Sequence, residues 1–581
     1  MKDTILKHIL DKKLACFGKN EAKIELDKSI LKTKEAREIY DKTLRKIGFY
    51  FAFEDTFRIF SLFSLTNDSS KIIERHDFFN NAIKQKFSKS FLKKLTFPKQ
   101  EWRPMYSVVI VTEDEKSFME LKKESVPVIL LQSEFDLDGL DNYDLIQAVE
   151  IDKFYSAIES LPQAVFVSKE EAYLEKYLVA LSGWKKNIAI LKENINSFDP
   201  DSKIKLSEVL ESLSPILALL EAGMAKKLSK EDVCIARDEI NRKVAEKIRP
   251  MTIKGEFLYA MLSAKSMPGE IREIIMAEIV NSGIPRNIFT IGIPVAVDEL
   301  ALNALLKSQD SDSFSSFANK IKKNSTVIRS IPQMLSVLSS SLLYFDFISS
   351  VSNFSTENNL VLPHIDKGIK LINSKSLLIN DPKPVSFFLD NSIKCSILTG
   401  ANSGGKTTLL EHALQVIILG QMGFPVSGKV SVGLFSDIYY FAKTKGGASK
   451  GAFETLLTQM SKVKPGNNTL ILADEIEAVT EPGVASMIIA STADYFIKKG
   501  CFLIIATHLG HEIVKYLPEH ARVDGIEAKG LDDNDNLIID HSPVLGRLAN
   551  STPELIIEKM ARKNKEEFFL YLNEKVKNNI V

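Results

Sequence analysis

Residues 394–419 read KCSILTGANSGGKTTLLEHALQVIIL. The short apolar run Lys394–Leu398 reads as a strand. Gly400, Ala401, Asn402, Ser403, Gly404, Gly405, Lys406 and Thr407 fit G-x-x-x-x-G-K-[ST], and Thr408–Leu419 reads as a helix opened by that loop. Strand, glycine-rich loop and helix in this order are the context of a phosphate loop. The glycines let backbone N–H groups close around phosphate oxygens, and the helix N-terminus adds partial positive charge. Residues Gly400 to Thr408 are therefore expected to hold a nucleotide. Lys406 reaches its β- and γ-phosphates and Thr407 ligates Mg²⁺. The expected cofactors are ATP and Mg²⁺.

Working outward, Asp474 follows Lys406 by 68 residues, at the end of TLILADE, Thr469–Glu475. Four apolar residues ending in two carboxylates read as the second strand of such a site. Asp474 is expected to hold Mg²⁺ through water, and Glu475 to polarise the attacking water. A third strand, CFLIIATH, ends at His508. A histidine at that place in an ATP-binding-cassette order contacts the γ-phosphate, so Glu475 and His508 are the candidate catalytic residues. HLGHE, His508–Glu512, lacks the i,i+4 histidine spacing of a zinc site. Between the two nucleotide motifs lies KTKGGASKGAFETLL, Lys443–Leu457, a Gly-rich basic loop before a helix.

Composition narrows the class. The chain has 581 residues, 45% hydrophobic and 26% charged, as an ordinary folded soluble protein has. That length suggests roughly four domains. The four cysteines are scattered without a CxxC pair, which excludes a disulfide scaffold and argues against structural zinc. No uninterrupted apolar run reaches the roughly 18 residues of a membrane span. The N-terminus, MKDTILKHILDKK, lacks a signal-peptide core. A cytoplasmic protein with no membrane partner is expected. The net charge of zero hides an asymmetry: residues 1–100 carry 22 Lys+Arg against 13 Asp+Glu. This suggests a basic module joined to a more acidic body.

The remaining texture sets the organisation. Residues 1–103 read as a basic, Phe-rich helical region. Its stretch 84–99, with Lys84, Lys86, Lys89, Lys93, Lys94 and Lys99 among Phe87, Phe91 and Phe97, suits either phosphates and bases or a small core. Residues 104–151 form a small α/β segment, with strands at Tyr106–Thr112 and Pro127–Gln132 around a helix at Glu115–Glu124. Residues 152–355 read as helical. Within them Ser229 and Asp232 fit a capping box, Pro250 closes that helix, and another helix covers about Ile331–Val351. From about 356 to 562, short strands alternate with helices, as in a sheet with crossovers. A tail occupies 563–581. The expected fold is an α/β P-loop NTPase domain of ATP-binding-cassette type, preceded by a largely α-helical core and clamp region and by a small α/β plus helical N-terminal region.

TGANSGGKTT, LADE, ATH and GAFETLL, at this spacing, resemble the ATPase domain of the MutS family. The interval between the nucleotide motifs leaves no room for the helical subdomain of a transporter ATPase. The Ser-rich helix at 331–351 resembles the last core helix before a MutS ATPase. The tail from Ser542, SPVLGRLANSTPELIIEKMARK, resembles the element that packs across the MutS dimer. The resemblance is strong over 356–562, moderate over 155–355, and weak before that.

It implies a homodimeric ATPase whose paired arms clamp double-stranded or branched DNA in repair or recombination. The loop before GAFETLL would cap the partner's γ-phosphate. Departures refine the branch. Gly451-Ala452-Phe453 stands where most members have a serine before Thr-Phe, which leaves backbone N–H groups, Ser449 or Lys450 to replace the hydroxyl. Ser403 stands where many mismatch-repair members have methionine. IGFYFAFED, Ile47–Asp55, has Phe51 where a Phe-x-Glu mismatch wedge would need glutamate. The chain also ends too soon after the dimer element for a C-terminal Smr nuclease domain. It is most similar to the short archaeal branch of the second MutS subfamily, for which ATP-driven DNA binding without mismatch preference is expected. A ribosome- or RNA-associated ATPase is the alternative.

Overall fold

The computed structural model describes residues 1–17, 26–85, 87–97, 106–124, 126–222, 229–251, 255, 267–400, 405–442, 454, 457–475, 481–531, 537–539, 541–549, 553–564 and 566–578. The chain divides into two compact units, 95–338 and the discontinuous pair 1–94 with 339–581.

In the unit 95–338, VVIVT at Val108–Thr112 is buried along its whole length. It pairs in parallel with Val128–Leu130 on one side and Leu145–Val149 on the other, and Ala164–Phe166 pairs in parallel with the latter. Such inner strands need continuous apolar runs. The last two strands escape the sequence reading. Leu145–Val149 carries Gln147 at its centre, where Glu175 accepts from the amide at 3.1 Å. Ala164–Phe166 is too short for a periodicity, and it interrupts the stretch expected to be helical from 152. Helices follow at Glu175–Glu193, Pro200–Ala222, Lys230–Ile248, Gly269–Asn281 and Glu299–Lys323. Ser229 caps Lys230–Ile248 reciprocally with Asp232, as its sequence predicts.

The helix Ser325–Glu357 runs longer than the predicted 331–351. Among the described residues it is the single helix long and apolar enough to cross a membrane. However, 83% of its most apolar window is buried inside the protein.

The second unit is built on a six-stranded sheet. Its order is Asp437–Phe441, Thr469–Asp474, Phe502–Ala506, Cys395–Gly400, Ala521–Ile526 and Val544–Leu545. The first five strands are parallel and the last antiparallel. A second sheet of four strands orders Val385–Leu389, Ile369–Ser374, Lys429–Val432 and His364–Ile365.

Residues 1–94 pack within this unit. Leu31 bridges to Ile438 in parallel, Lys32 donates to the Ile438 carbonyl, and Ile438 donates to the Ile30 carbonyl. The outer strand Asp437–Phe441 is thereby covered, which removes a free edge. Phe51, Phe57, Phe60, Phe63, Phe78 and Phe79 form one aromatic core with Phe347 of the helix Ser325–Glu357. Phe63 stacks on Phe347 at 5.3 Å, and Phe79 meets Phe424 at 4.5 Å.

Asp346, fully buried, is the polar hub beneath that core. It accepts from the Ala52 and Phe53 amides and from the Thr56 hydroxyl at 2.7 Å. Lys89 lies 3.6 Å from it and donates to Ser350 Oγ and the Tyr50 carbonyl.

Candidate active site

The phosphate-loop geometry begins with two glycines. Gly400 sits at φ +130°, and a Cβ there would lie 2.4 Å from the Ile526 carbonyl oxygen. Gly405, at φ +91°, caps the helix Lys406–Met422. Both positions demand a residue without a side chain. That helix is buried almost all round, so its dipole is held in a low-dielectric setting. Its far end is capped by Arg75, which donates to the carbonyls of Met422 at 3.3 Å, Ser64 at 2.8 Å and Leu62 at 3.0 Å. A guanidinium at a helix C-terminus complements the dipole.

At the N-terminal end the sequence-predicted residues converge. Thr407 Oγ1 donates to Asp474 Oδ2 at 2.7 Å. Lys406 is buried, and its Nζ donates to the Gly400 carbonyl at 2.7 Å, with His508 Nδ1 at 3.5 Å. His508 Nε2 and Glu475 Oε1 are 2.5 Å apart. The parallel register aligns Asp474 with Ala506, which brings Glu475 and His508 to the same sheet end. Glu475 holds φ +49°, and its amide donates to the Ala506 carbonyl at 2.9 Å. A non-glycine residue in that region costs of order 1–3 kcal/mol and persists where neighbours impose it.

Thr408 lies in the first turn of the same helix, half-buried. Ala401, Asn402, Ser403 and Gly404 lie outside the described residues. So does nearly all of 443–457, including Ser449, Lys450 and Gly451-Ala452-Phe453.

Glu411 escapes the sequence reading. It stands one helical turn after Thr407, the i,i+4 relation that is its only sequence signal. Burial raises its carboxyl pKa; Lys42 opposes the rise and Asp474 adds to it. The donor set of Thr407 hydroxyl and Asp474 carboxylate consists of hard oxygens. Magnesium takes such ligands one or two at a time alongside substrate phosphates, so these residues fit Mg²⁺.

No family model matches the chain. The DNA-binding protein MutS2 of Pyrococcus furiosus is 29% identical over 578 residues, covering 93% of this chain and 98% of that protein. This chain resembles a short archaeal MutS2 protein over nearly its whole length. The endonuclease MutS2 of Caldicellulosiruptor saccharolyticus is 26% identical over 351 residues, and that of Lactobacillus acidophilus 27% over 201. The chain spans 42% and 26% of the lengths of those two proteins.

Against that MutS2 likeness, two segments of the basic region take particular positions. Phe49 directly follows the helix Lys34–Gly48 and is 82% exposed, whereas Phe51 packs on Phe60 at 5.5 Å. In the stretch 84–99, Phe87 and Phe91 both pack on Phe345. Burial lowers the Lys89 pKa, opposed by Asp346, and the Lys89 ammonium is engaged inside the fold. Lys84, Lys93 and Lys94 are exposed. Lys86 and Lys99 lie outside the described residues.

Proposed function

We propose that this chain is a cytoplasmic ATPase that binds double-stranded or branched DNA as a homodimer. In this reading its ATP cycle opens and closes a clamp on DNA without regard to mismatches, and the helical residues 152–355 supply the clamp. The observation that carries the ATPase reading is the Thr407–Asp474 contact at 2.7 Å, with Lys406 and the Glu475–His508 pair beside it.

In the proposed chemistry, Lys406 and the loop amides bind the phosphate chain. Thr407 and Asp474 hold Mg²⁺, which when bound neutralises phosphate charge. Glu475 accepts a hydrogen bond from the attacking water and orients it. His508 lies close enough to hold the Glu475 carboxylate in one position, and its other nitrogen faces the lysine that binds phosphate.

DNA as partner rests on the likeness to the DNA-binding protein MutS2 of Pyrococcus furiosus and on the basic N-terminal hundred residues. The exposed side chains Lys84, Lys93 and Lys94 can still neutralise phosphates, whereas Lys89 is committed to the interior. The deciding experiment compares retention on matched duplex, mismatched duplex and ribosomes. Binding to both duplexes within about twofold, falling steeply with salt, is expected. A mismatch preference of about tenfold or more would reject indifference, and co-sedimentation with ribosomes in place of duplex binding would favour the RNA-associated alternative.

A further inference from the structure

The candidate nucleotide site occupies the C-terminal ends of the parallel strands of the six-stranded sheet. At their N-terminal ends, a strand's length of roughly 20 Å away, opens a separate cleft of about 730 Å³. Lys394 lines it just before Cys395–Gly400, Asn468 just before Thr469–Asp474, and Gly500 just before Phe502–Ala506. The turn 366–368 of the four-stranded sheet and Asn67 of the N-terminal region complete the lining. A cavity of this size suits a small molecule.

The backbone around the cleft is already fixed. Gly433 donates to the Gly368 carbonyl at 2.6 Å, and the Ser436 amide to the Asn468 carbonyl at 2.9 Å. Asp390 accepts from the Ser392 and Ile393 amides, which sets the turn that carries Asn391. Gly500 holds φ +89°, and a Cβ there would lie 1.9 Å from Asn467 Oδ1. A site that is ordered beforehand loses little affinity to ordering.

Two ammonium groups line the cleft, exposed Lys367 and half-buried Lys394. Among the described residues neither has a carboxylate partner. The one carboxylate in the lining, Asp366, accepts from the Lys367 amide at 2.8 Å. This balance favours an anion, and ammonium–phosphate hydrogen bonds are among the strong ones. The side chains of Asn67, Asn391, Asn467 and Asn468 each carry both donors and an acceptor, the complement of sugar hydroxyls. The aromatic rings in the lining, Phe435 and Phe502, are 2% and 5% exposed and offer no face on which a base could stack.

We propose that this cleft is a ligand site separate from the nucleotide site, and that it takes a small sugar phosphate. Lys367 and Lys394 receive the phosphate, and the asparagine amides bond the hydroxyls. The proposal does not depend on ATP hydrolysis.

The test is calorimetric titration of the full chain with ribose 5-phosphate, ribose and inorganic phosphate. It compares wild type, Lys406→Ala, the pair Lys367→Gln with Lys394→Gln, and the pair Lys367→Arg with Lys394→Arg. Ribose 5-phosphate should bind wild type and Lys406→Ala alike. The Gln pair should bind it at least about tenfold more weakly, and the Arg pair within about threefold of wild type. Ribose should show no saturation up to about 10 mM, and inorganic phosphate should bind at least about fivefold more weakly than the sugar phosphate. No saturation of wild type by ribose 5-phosphate up to about 10 mM, or equal binding by wild type and the Gln pair, would overturn the proposal. Binding lost in Lys406→Ala but kept in the Gln pair would move the ligand to the phosphate loop and also overturn it. Displacement of bound sugar phosphate by duplex DNA would make the phosphate source a nucleic-acid backbone and reject the small molecule. Tm of each variant excludes loss of fold, and exposed Lys367→Gln alone supplies the comparison if the pair is unstable.

Discussion

Thr407 and Asp474 stand 67 residues apart in the chain, yet their side chains meet at 2.7 Å because the phosphate-loop helix starts beside the end of the strand Thr469–Asp474. A hydroxyl and a carboxylate already in register need little rearrangement to share a cation. Thr407→Val keeps the volume and removes the oxygen. Its hydrolysis at limiting Mg²⁺ should fall at least about tenfold, with partial recovery at high Mg²⁺, because one ligand of few is lost. A wild-type Mg²⁺ titration curve would show that Thr407 does not reach the metal.

Glu475 combines a proposed catalytic role with a strained backbone, which separates two consequences. Glu475→Gln should keep Mg-ATP affinity and lose most of kcat, since it removes only what acts on the attacking water. Glu475→Gly should be equally inactive, yet thermal unfolding should show no loss of stability and a gain of about 1 kcal/mol, because φ +49° suits glycine. A marked fall in Tm for the glycine variant would mean that the contact with His508 outweighs the strain.

Lys406 supplies a buried ammonium held by the Gly400 carbonyl. Lys406→Ala should abolish measurable Mg-ATP binding in calorimetry, since it removes the point charge that the lysine offers the phosphates. Unaltered affinity would refute the phosphate-loop assignment.

Asp346 accepts from two amides, two hydroxyls and the neighbouring Lys89 while fully buried. Asp346→Ala leaves those donors and a buried ammonium without their acceptor. A loss of about 3–5 kcal/mol is expected in chemical denaturation. The double variant Asp346→Ala with Lys89→Met should recover part of that loss, and no recovery would mean that the amide donors carry the cost.

His412 gives a pH dependence. It lies inside the phosphate-loop helix with Nε2 at 2.9 Å from Ser374 Oγ, and burial depresses its pKa to about 4. The unfolded chain takes up a proton near the ordinary histidine value of about 6.5, whereas the folded chain does not until about 4. The contribution of neutral His412 is therefore complete above about pH 6.5 and lost as pH falls from there towards 4, on the order of 3 kcal/mol. His412→Gln should flatten the unfolding free energy across that window relative to wild type; parallel curves would refute this.

The sequence makes the candidate nucleotide site legible because its signals are local. A strand, a glycine turn, a lysine and a hydroxyl occupy consecutive positions, and carboxylates follow an apolar run. The supports of that site are not legible, because those of Arg75 and Leu31 join residues hundreds of positions apart. Nothing near Arg75 in the chain announces the carbonyl of Met422, and nothing near Leu31 announces Ile438. The phenylalanines of the first hundred residues read equally well as a base-stacking surface until Phe347 and Phe424 are seen among them. The strand Leu145–Val149 is hidden by Gln147, whose amide is satisfied by Glu175 from a separate helix.

The covered edge at Ile438 has a consequence for how the chain is made. Synthesis runs from the N-terminus, so Leu31 emerges long before the strand that it covers, with all of residues 95–338 between. Until then the Phe-rich N-terminal segment has neither Phe347 nor Phe424 to pack on, and it is exposed to wrong partners. The intervening residues 95–338 form a compact unit of their own, able to fold first. A nascent chain arrested before residue 339 should therefore present a protease-resistant middle and a protease-sensitive beginning, and the beginning should become resistant only once the last strands of the six-stranded sheet leave the ribosome.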